Sequence, residues 1–253
     1  MTFRPSAWSA RASMCATTFL VVCLAWASGV AAATLVTPPE FENEEAGYIG
    51  VRFRGESRTQ HIFAASMFGA GEMEISGVRF RRSPFETIFF QNFDQVEIVL
   101  STTSVAPDQQ SSAFAANRGA DAAVVRDGPL SIRSQSSDNR SPSPFEVEVP
   151  FANPFRYDPA LGNLLLEWKV TGQDGVVVWL DADTDGDSRY NVGFASGPDA
   201  DQAEFLLPFG LVTQFEFTPV PEPSTGLLVA LGVSGMGMPN GIARRRCARR
   251  RSD

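Results

Sequence analysis

Residues 164–170 have the sequence LLLEWKV and residues 176–180 have the sequence VVVWL. Each is a short, continuous apolar run bounded by polar or turn residues, which favours a strand buried on both faces. Residues 173–175 lie between the runs and have the sequence QDG, and an Asp-Gly pair at such a place predicts a hairpin. The two runs are therefore predicted to be the central strands of the fold.

Shorter runs of strand character extend this pattern in both directions along the chain. Most are bounded by Gly, Pro, Asn or Asp, and several alternate apolar with polar residues. Only residues 112–117 could form a helical turn, and no amphipathic helix of three turns is evident. The further runs are residues 48–54, 72–81, 93–100, 122–126, 130–133, 145–149, 190–194 and 212–217.

About ten short strands at this spacing predict an all-β fold. Their alternation favours an antiparallel β-sandwich, of jelly-roll or immunoglobulin-like type. The alternation changes phase at Gly77, which predicts a β-bulge there. The predicted organisation is a signal peptide at residues 1–33, the β-sandwich domain at 34–219, and a sorting tail at 220–253.

Composition restricts the chemistry of the central domain. The three cysteines, Cys15, Cys23 and Cys247, all lie in the terminal segments, so a processed domain could form neither a disulfide nor a cysteine-ligated zinc site. Residues 34–220 carry 13 basic and 27 acidic side chains, a net charge of −14. Such a domain repels phosphate backbones, which argues against nucleic acid as a partner.

The N-terminal segment has the three parts of a secretory signal peptide. Arg4 and Arg11 make its first part basic, residues 15–26 are almost wholly apolar, and small residues lead up to Ala32 and Ala33. The apolar run has about 12 residues, whereas a permanent span needs about 20. We therefore expect signal peptidase to cleave after Ala32 or Ala33.

The C-terminal segment has the order of a stop-transfer signal. A short polar motif is followed by the apolar residues 226–238, and basic side chains then hold the chain on the cytoplasmic side. The motif is Pro221, Glu222, Pro223 and Ser224, and the basic side chains are Arg244, Arg245, Arg246, Arg249, Arg250 and Arg251. This order predicts a sorting helix that holds the chain in the membrane before processing.

The tail resembles the PEP-CTERM sorting signal of Gram-negative and related bacteria, in the motif, the apolar run and the arginine cluster. The resemblance implies processing by an exosortase at the inner membrane, then release to the outside or retention in extracellular polysaccharide. Residues 77–81 (GVRFR), 100–104 (LSTTS) and 157–166 (YDPALGNLLL) are also similar to a group of PEP-CTERM proteins without established activity. That similarity implies fold and export rather than chemistry.

Calcium is the one cofactor that the sequence suggests. Asp181, Asp183 and Asp185 alternate before Gly186, which places oxygens on one side of a tight turn. Val192 stands where an EF-hand-type loop needs a bidentate glutamate, so a closed cage is missing. The alternative interpretation is a solvated loop, in which Asp and Gly are common.

Other chemistry-bearing residues favour structural roles. His61 is the only histidine and has neither a cysteine nor a nucleophile motif beside it. The pairs Glu72/Glu74 and Glu146/Glu148 share strand faces and should project to solvent, although paired carboxylates are also the machinery of glycosidases.

The aromatic residues Trp168, Trp179, Tyr157 and Tyr190 could form a sugar-stacking platform, but the two tryptophans lie in the strongest apolar runs, which predicts burial. We therefore expect a non-catalytic protein, secreted or held at the cell surface and associated with exopolysaccharide. A carbohydrate- or calcium-binding β-sandwich module and a secreted glycoside hydrolase-like enzyme are the alternatives.

Overall fold

In a computed structural model of the chain, residues 31–135, 141–172, 177–185 and 188–221 are described. The chain divides into a compact unit that ends at Val220 and a second unit from Pro221. Within the described residues, thirteen strands form three antiparallel sheets, together with a one-turn helix, α1 (Phe114–Asn117), and several 3-10 turns. The predicted all-β class and the single helical turn are confirmed.

The largest sheet has six strands and contains the centre of the fold. Its strand order is β11-β10-β3-β8-β5-β6, and every neighbouring pair is antiparallel. The strands are β3 (Ser57–Phe63), β5 (Phe89–Thr103), β6 (Ala123–Ser134), β8 (Asn163–Thr171), β10 (Tyr190–Ala195) and β11 (Phe205–Leu207).

Two smaller sheets complete the unit. The four-stranded sheet has the order β1-β13-β4-β7, and the three-stranded sheet has the order β12-β9-β2. The strands of the first are β1 (Ala33–Thr37), β4 (Met73–Phe80), β7 (Val147–Tyr157) and β13 (Thr213–Pro219), and those of the second are β2 (Tyr48–Arg54), β9 (Val177–Asp183) and β12 (Gly210–Leu211).

One hydrophobic core joins the three sheets. Phe53 of β2 stacks on Trp168 of β8, with ring centroids 5.1 Å apart. Phe63 of β3 meets the edge of Phe215 of β13 at 5.6 Å. All four side chains are fully buried or nearly so, and burial of each large apolar side chain contributes about 1.5–3 kcal/mol. The smaller sheets therefore pack on the same face of the six-stranded sheet.

The prediction for residues 164–166 is confirmed, because these three leucines are fully buried on the central strand β8. The predicted hairpin between β8 and β9 is wrong, since β8 pairs with β3 and β5 whereas β9 pairs with β2 and β12. Strand β9 buries Val178 but leaves Val177 37% exposed. The predicted turn itself, residues 173–175, lies outside the described residues.

Strand β4 contains the predicted bulge. Its pairing with β7 shifts register between Ile75 and Gly77, and its pairing with β13 shifts opposite Glu216 and Phe217. A Cβ atom on Gly77 would lie 2.9 Å from a carboxylate oxygen of Glu216 and 3.3 Å from the carbonyl oxygen of Val149. The glycine lets the neighbouring strands approach closely at this point.

Strand β3 was not predicted, because its sequence SRTQHIF lacks a clean alternation. All seven of its residues are nevertheless buried. One face, with His61 and Phe63, lies in the aromatic core. The other face, with Arg58 and Gln60, lies under residues 107–118, which carry α1. Because both faces of β3 are covered, its polar side chains Arg58 and Gln60 are buried with hydrogen-bond partners, and its sequence does not alternate between apolar and polar residues.

Candidate functional site

Residues 107–118 lie over β3 and β8, and we call them the cover. A buried network of charged side chains around Glu167 holds the cover in place. Both oxygens of this carboxylate are saturated: Oε1 accepts from Arg58 at 2.8 Å and Arg118 at 2.7 Å, and Oε2 accepts from Gln60 at 2.8 Å and Arg118 at 2.9 Å. Asn117 also donates to the Gln60 side chain at 2.7 Å.

Electrostatics keep this network charged. Burial alone raises the pKa of Glu167, but the hydrogen bonds and charge of Arg118, with the charge of Arg58, outweigh it and hold the pKa below its usual range. The same contact with Glu167 raises the pKa of Arg118. The Glu167 carboxylate is fully buried and all of its hydrogen-bonding capacity is used by protein groups. Its role is therefore to link residues 107–118 to the six-stranded sheet.

His61 is part of the core. Its side chain is fully buried between the rings of Phe63 and Trp168, at 5.7 and 5.1 Å. Neither ring nitrogen has a hydrogen-bond partner among the described residues. Burial lowers the pKa of His61 to about 3. The imidazole is therefore neutral at pH 7 and out of reach of any substrate, which agrees with the predicted structural role.

The aspartates suggested as calcium ligands have different hydrogen-bond partners in the structure. Asp181 is fully buried and accepts from Arg81 at 2.7 Å and from the backbone N–H groups of Ala46 and Gly47 at 3.2 and 3.1 Å. Asp183 accepts from the Tyr190 hydroxyl and, at 3.2 Å, from the N–H of Asp185.

The Asp181 carboxylate is not available as a calcium ligand, because it already forms an ion pair with Arg81. Gly186 and Asp187, in the same motif, lie outside the described residues. Across the part of the chain that is described, no group of three or more His, Asp or Glu side chains is arranged to hold a metal ion. Calcium binding stays a prediction.

The four aromatic residues do not assemble a sugar platform. Trp168 is buried, as its apolar run predicted, and Tyr157 and Tyr190 are buried as well. The predicted burial of Trp179 is wrong, since this side chain is only half-buried on the opposite face of β9 from the core. An aromatic surface for a ligand has to come from other residues.

Such a surface lies where the six- and four-stranded sheets meet. Their edge strands β6 and β7 run side by side, and Arg126 of β6 donates to the carbonyl oxygen of Pro150 of β7 at 3.0 Å. Two hollows of about 210 and 270 Å³ lie along this junction, and a third of about 420 Å³, lined by residues 88–90, 134 and 135, adjoins them. We call them the seam groove; its principal lining residues are Arg79, Phe90, Arg133, Glu146 and Glu148.

Strand pairing fixes the lining of the seam groove. Phe90 of β5 lies opposite Arg133 of β6, and Arg79 of β4 lies opposite Glu148 of β7. Arg79 and Glu148 form an ion pair at 2.9 Å, in which the Glu148 side chain stays 60% exposed. Glu146 accepts from the Ser134 hydroxyl at 3.0 Å and from the Gln135 N–H at 2.7 Å.

The groove is both polar and apolar. Phe90 is 64% exposed, and its neighbour Ile88, which lines the same hollow, is 57% exposed. The pair Glu146/Glu148 reaches the surface as predicted, but its position beside the ring of Phe90 was not predicted. The sequence did contain a signal that Phe90 is exposed, since Phe90 shares its strand phase with the polar Asn92 and Asp94.

The other acidic pair lies on the four-stranded sheet. Glu74 is exposed, and Glu72 forms a bidentate pair with the exposed Arg156. The hydrogen bond and charge of Arg156 lower the pKa of Glu72. Both carboxylates face solvent, as predicted.

The two predicted processing points lie at the ends of the folded unit. Strand β1 begins at Ala33, which pairs with Phe217 of β13, so the first and last strands are neighbours. The backbone N–H of Val220 donates to the carbonyl oxygen of Glu72 at 2.9 Å. Pro221 follows directly, while Glu222, Pro223, Ser224 and the six arginines lie outside the described residues, as does the predicted sorting helix.

Within the described ranges, no helix is both long and apolar enough to span a membrane. Comparison of the chain with protein families, with curated proteins and with solved structures returned no match.

Proposed function

We propose that this chain is an exported, non-catalytic protein of the cell surface or extracellular matrix, which an exosortase processes at its tail and which associates with exopolysaccharide. One observation carries the proposal. The compact unit ends at Val220, directly before the motif that begins at Pro221, and its first strand begins at Ala33, where signal peptidase is expected to cut. Removal of both ends would leave the three sheets in place, with β1 shortened by at most its first residue, Ala33.

The properties of the domain agree with an extracellular place. Residues 34–220 contain no cysteine, so neither an oxidising nor a reducing compartment alters their covalent structure. Their net charge of −14 favours solubility and disfavours nucleic acid as a partner. Packing of two smaller sheets on one face of a larger sheet supports a β-sandwich, with the jelly-roll and immunoglobulin-like types as the two proposed forms.

Processing can be tested with the full chain in a Gram-negative host that contains an exosortase. We expect mass spectrometry of the exported protein to find an N-terminus at residue 33 or 34 and a C-terminus within residues 220–224. Replacing Pro221 and Pro223 with Ala should leave the tail attached. Pro198→Ala, which changes a proline outside the motif, is the control and should be processed normally.

A full-length chain that keeps residues 1–33 and stays in the cytoplasm would refute export. A chain that is exported but keeps its tail, with and without exosortase, would refute the sorting part alone.

A further inference from the structure

We propose that the seam groove binds a neutral polysaccharide chain, with Phe90 stacked against a sugar ring. The inference rests on the proposed extracellular, polysaccharide-associated function and assigns it a site. None of the aromatic residues that the sequence suggested contributes to this site.

The first argument concerns the aromatic surface. Phe90 lies on the part of β5 that pairs with β6, directly opposite Arg133, whereas the pairing of β5 with β8 begins only at Gln95. The Phe90 side chain is 64% exposed although the strand buries Phe93 three residues later. Ile88, which lines the same hollow, is 57% exposed. A cluster of exposed apolar side chains rimmed by polar ones marks an interaction surface.

The second argument concerns hydrogen bonding. A polyhydroxylated chain both donates and accepts, so its site needs acceptors and donors side by side. The groove offers the carboxylates of Glu146 and Glu148 and the guanidinium group of Arg133, while Arg79 is already paired with Glu148 at 2.9 Å and with Glu216 at 2.5 Å. Ser131, which lines the same hollow beside Phe90, adds a hydroxyl. These groups come from paired strands, whose spacing is fixed before a ligand arrives.

The third argument concerns charge. Two arginines and two glutamates balance within the groove, while the surrounding domain carries a net charge of −14. A polyanionic chain would therefore meet a repulsive field with no local excess of positive charge to offset it. A neutral chain meets no such barrier.

The test is affinity electrophoresis of the purified full chain through gels that contain dextran, mannan, a soluble β-glucan or, as the polyanion, alginate. We expect retardation by at least one neutral polysaccharide and none by alginate at the same concentration. Phe90→Ala should raise the dissociation constant about tenfold, as for truncation of a central aromatic contact. Phe205→Ala is the matched control, since Phe205 is 58% exposed on β11, at the far edge of the same sheet.

Binding equally weakened by both substitutions, or retardation by alginate alone, would overturn the assignment. Loss of binding in Arg133→Ala, with an unchanged thermal midpoint, would support it independently of Phe90. Shortening of the polysaccharide during the run would overturn the non-catalytic part of the proposed function and identify Glu146 and Glu148 as the residues to replace next. Absence of binding by a chain that is exported and processed normally would refute this inference while leaving the proposed function standing.

Discussion

Replacement of His61 by Leu should remove a specific acid sensitivity of the fold. The imidazole is fully buried, stacked between Phe63 and Trp168, and lacks a hydrogen-bond partner among the described residues. Above pH 6.5 the side chain is neutral in both the folded and the unfolded state, so it adds no pH dependence. Below pH 6.5 the unfolded chain takes up a proton, whereas the folded chain stays neutral until its pKa of about 3.

The magnitude follows from proton linkage. Each pH unit below the unfolded pKa costs about 1.4 kcal/mol of unfolding free energy while only the unfolded state is protonated. Between pH 7 and pH 5 the loss amounts to about 2 kcal/mol for one such histidine. His61 is the only histidine of the chain, and ordinary carboxylates titrate mostly below this range. The interval from pH 7 to 5 therefore isolates its effect.

The assay is urea unfolding at pH 7, 6 and 5, followed by tryptophan fluorescence. The unmodified protein should lose about 2 kcal/mol across this interval, while His61→Leu should stay level. His61→Phe, which retains a ring between Phe63 and Trp168, guards against a packing defect in the leucine variant. If either variant folds and loses as much stability as the unmodified protein, the buried neutral imidazole is not the cause and the reasoning fails.

Two further predictions concern stability. Glu167→Ala should destabilise the fold by about 3–5 kcal/mol in urea unfolding, because it leaves the buried Arg58 without its partner. The control is Glu72→Ala, which removes an exposed ion pair and should change the stability little. Equal losses of stability in the two variants would contradict the role of the buried network. Gly119→Ala should cost about 1–3 kcal/mol, since its Cβ would lie 1.7 Å from the carbonyl oxygen of Thr102. Gly197→Ala has open space and serves as the control; thermal midpoints that shift equally in the two variants would count against the clash.

Strand content was readable wherever one face of a strand meets the core and the other meets water. The alternation in residues 93–100 predicted the buried positions of β5, and the phase change at Gly77 predicted the bulge of β4. Strand β3 was not predicted, because both of its faces are covered and the polar Arg58 and Gln60 are buried as well as the apolar Ile62 and Phe63. An alternating apolar and polar sequence arises where a strand has one buried and one exposed face. Both faces of β3 are buried, so this pattern is missing from its sequence.

The sequence by itself determined the composition of this protein: an acidic domain without cysteine, strands rather than helices, one histidine, and terminal segments of the kind that export signals have. These properties follow from residue type and local order alone. The tertiary structure decided which strands pair, that β8 and β9 belong to different sheets, and how Phe90 comes to lie beside Arg133, Glu146 and Glu148. Those relations depend on contacts between residues far apart in the chain, which no local pattern encodes.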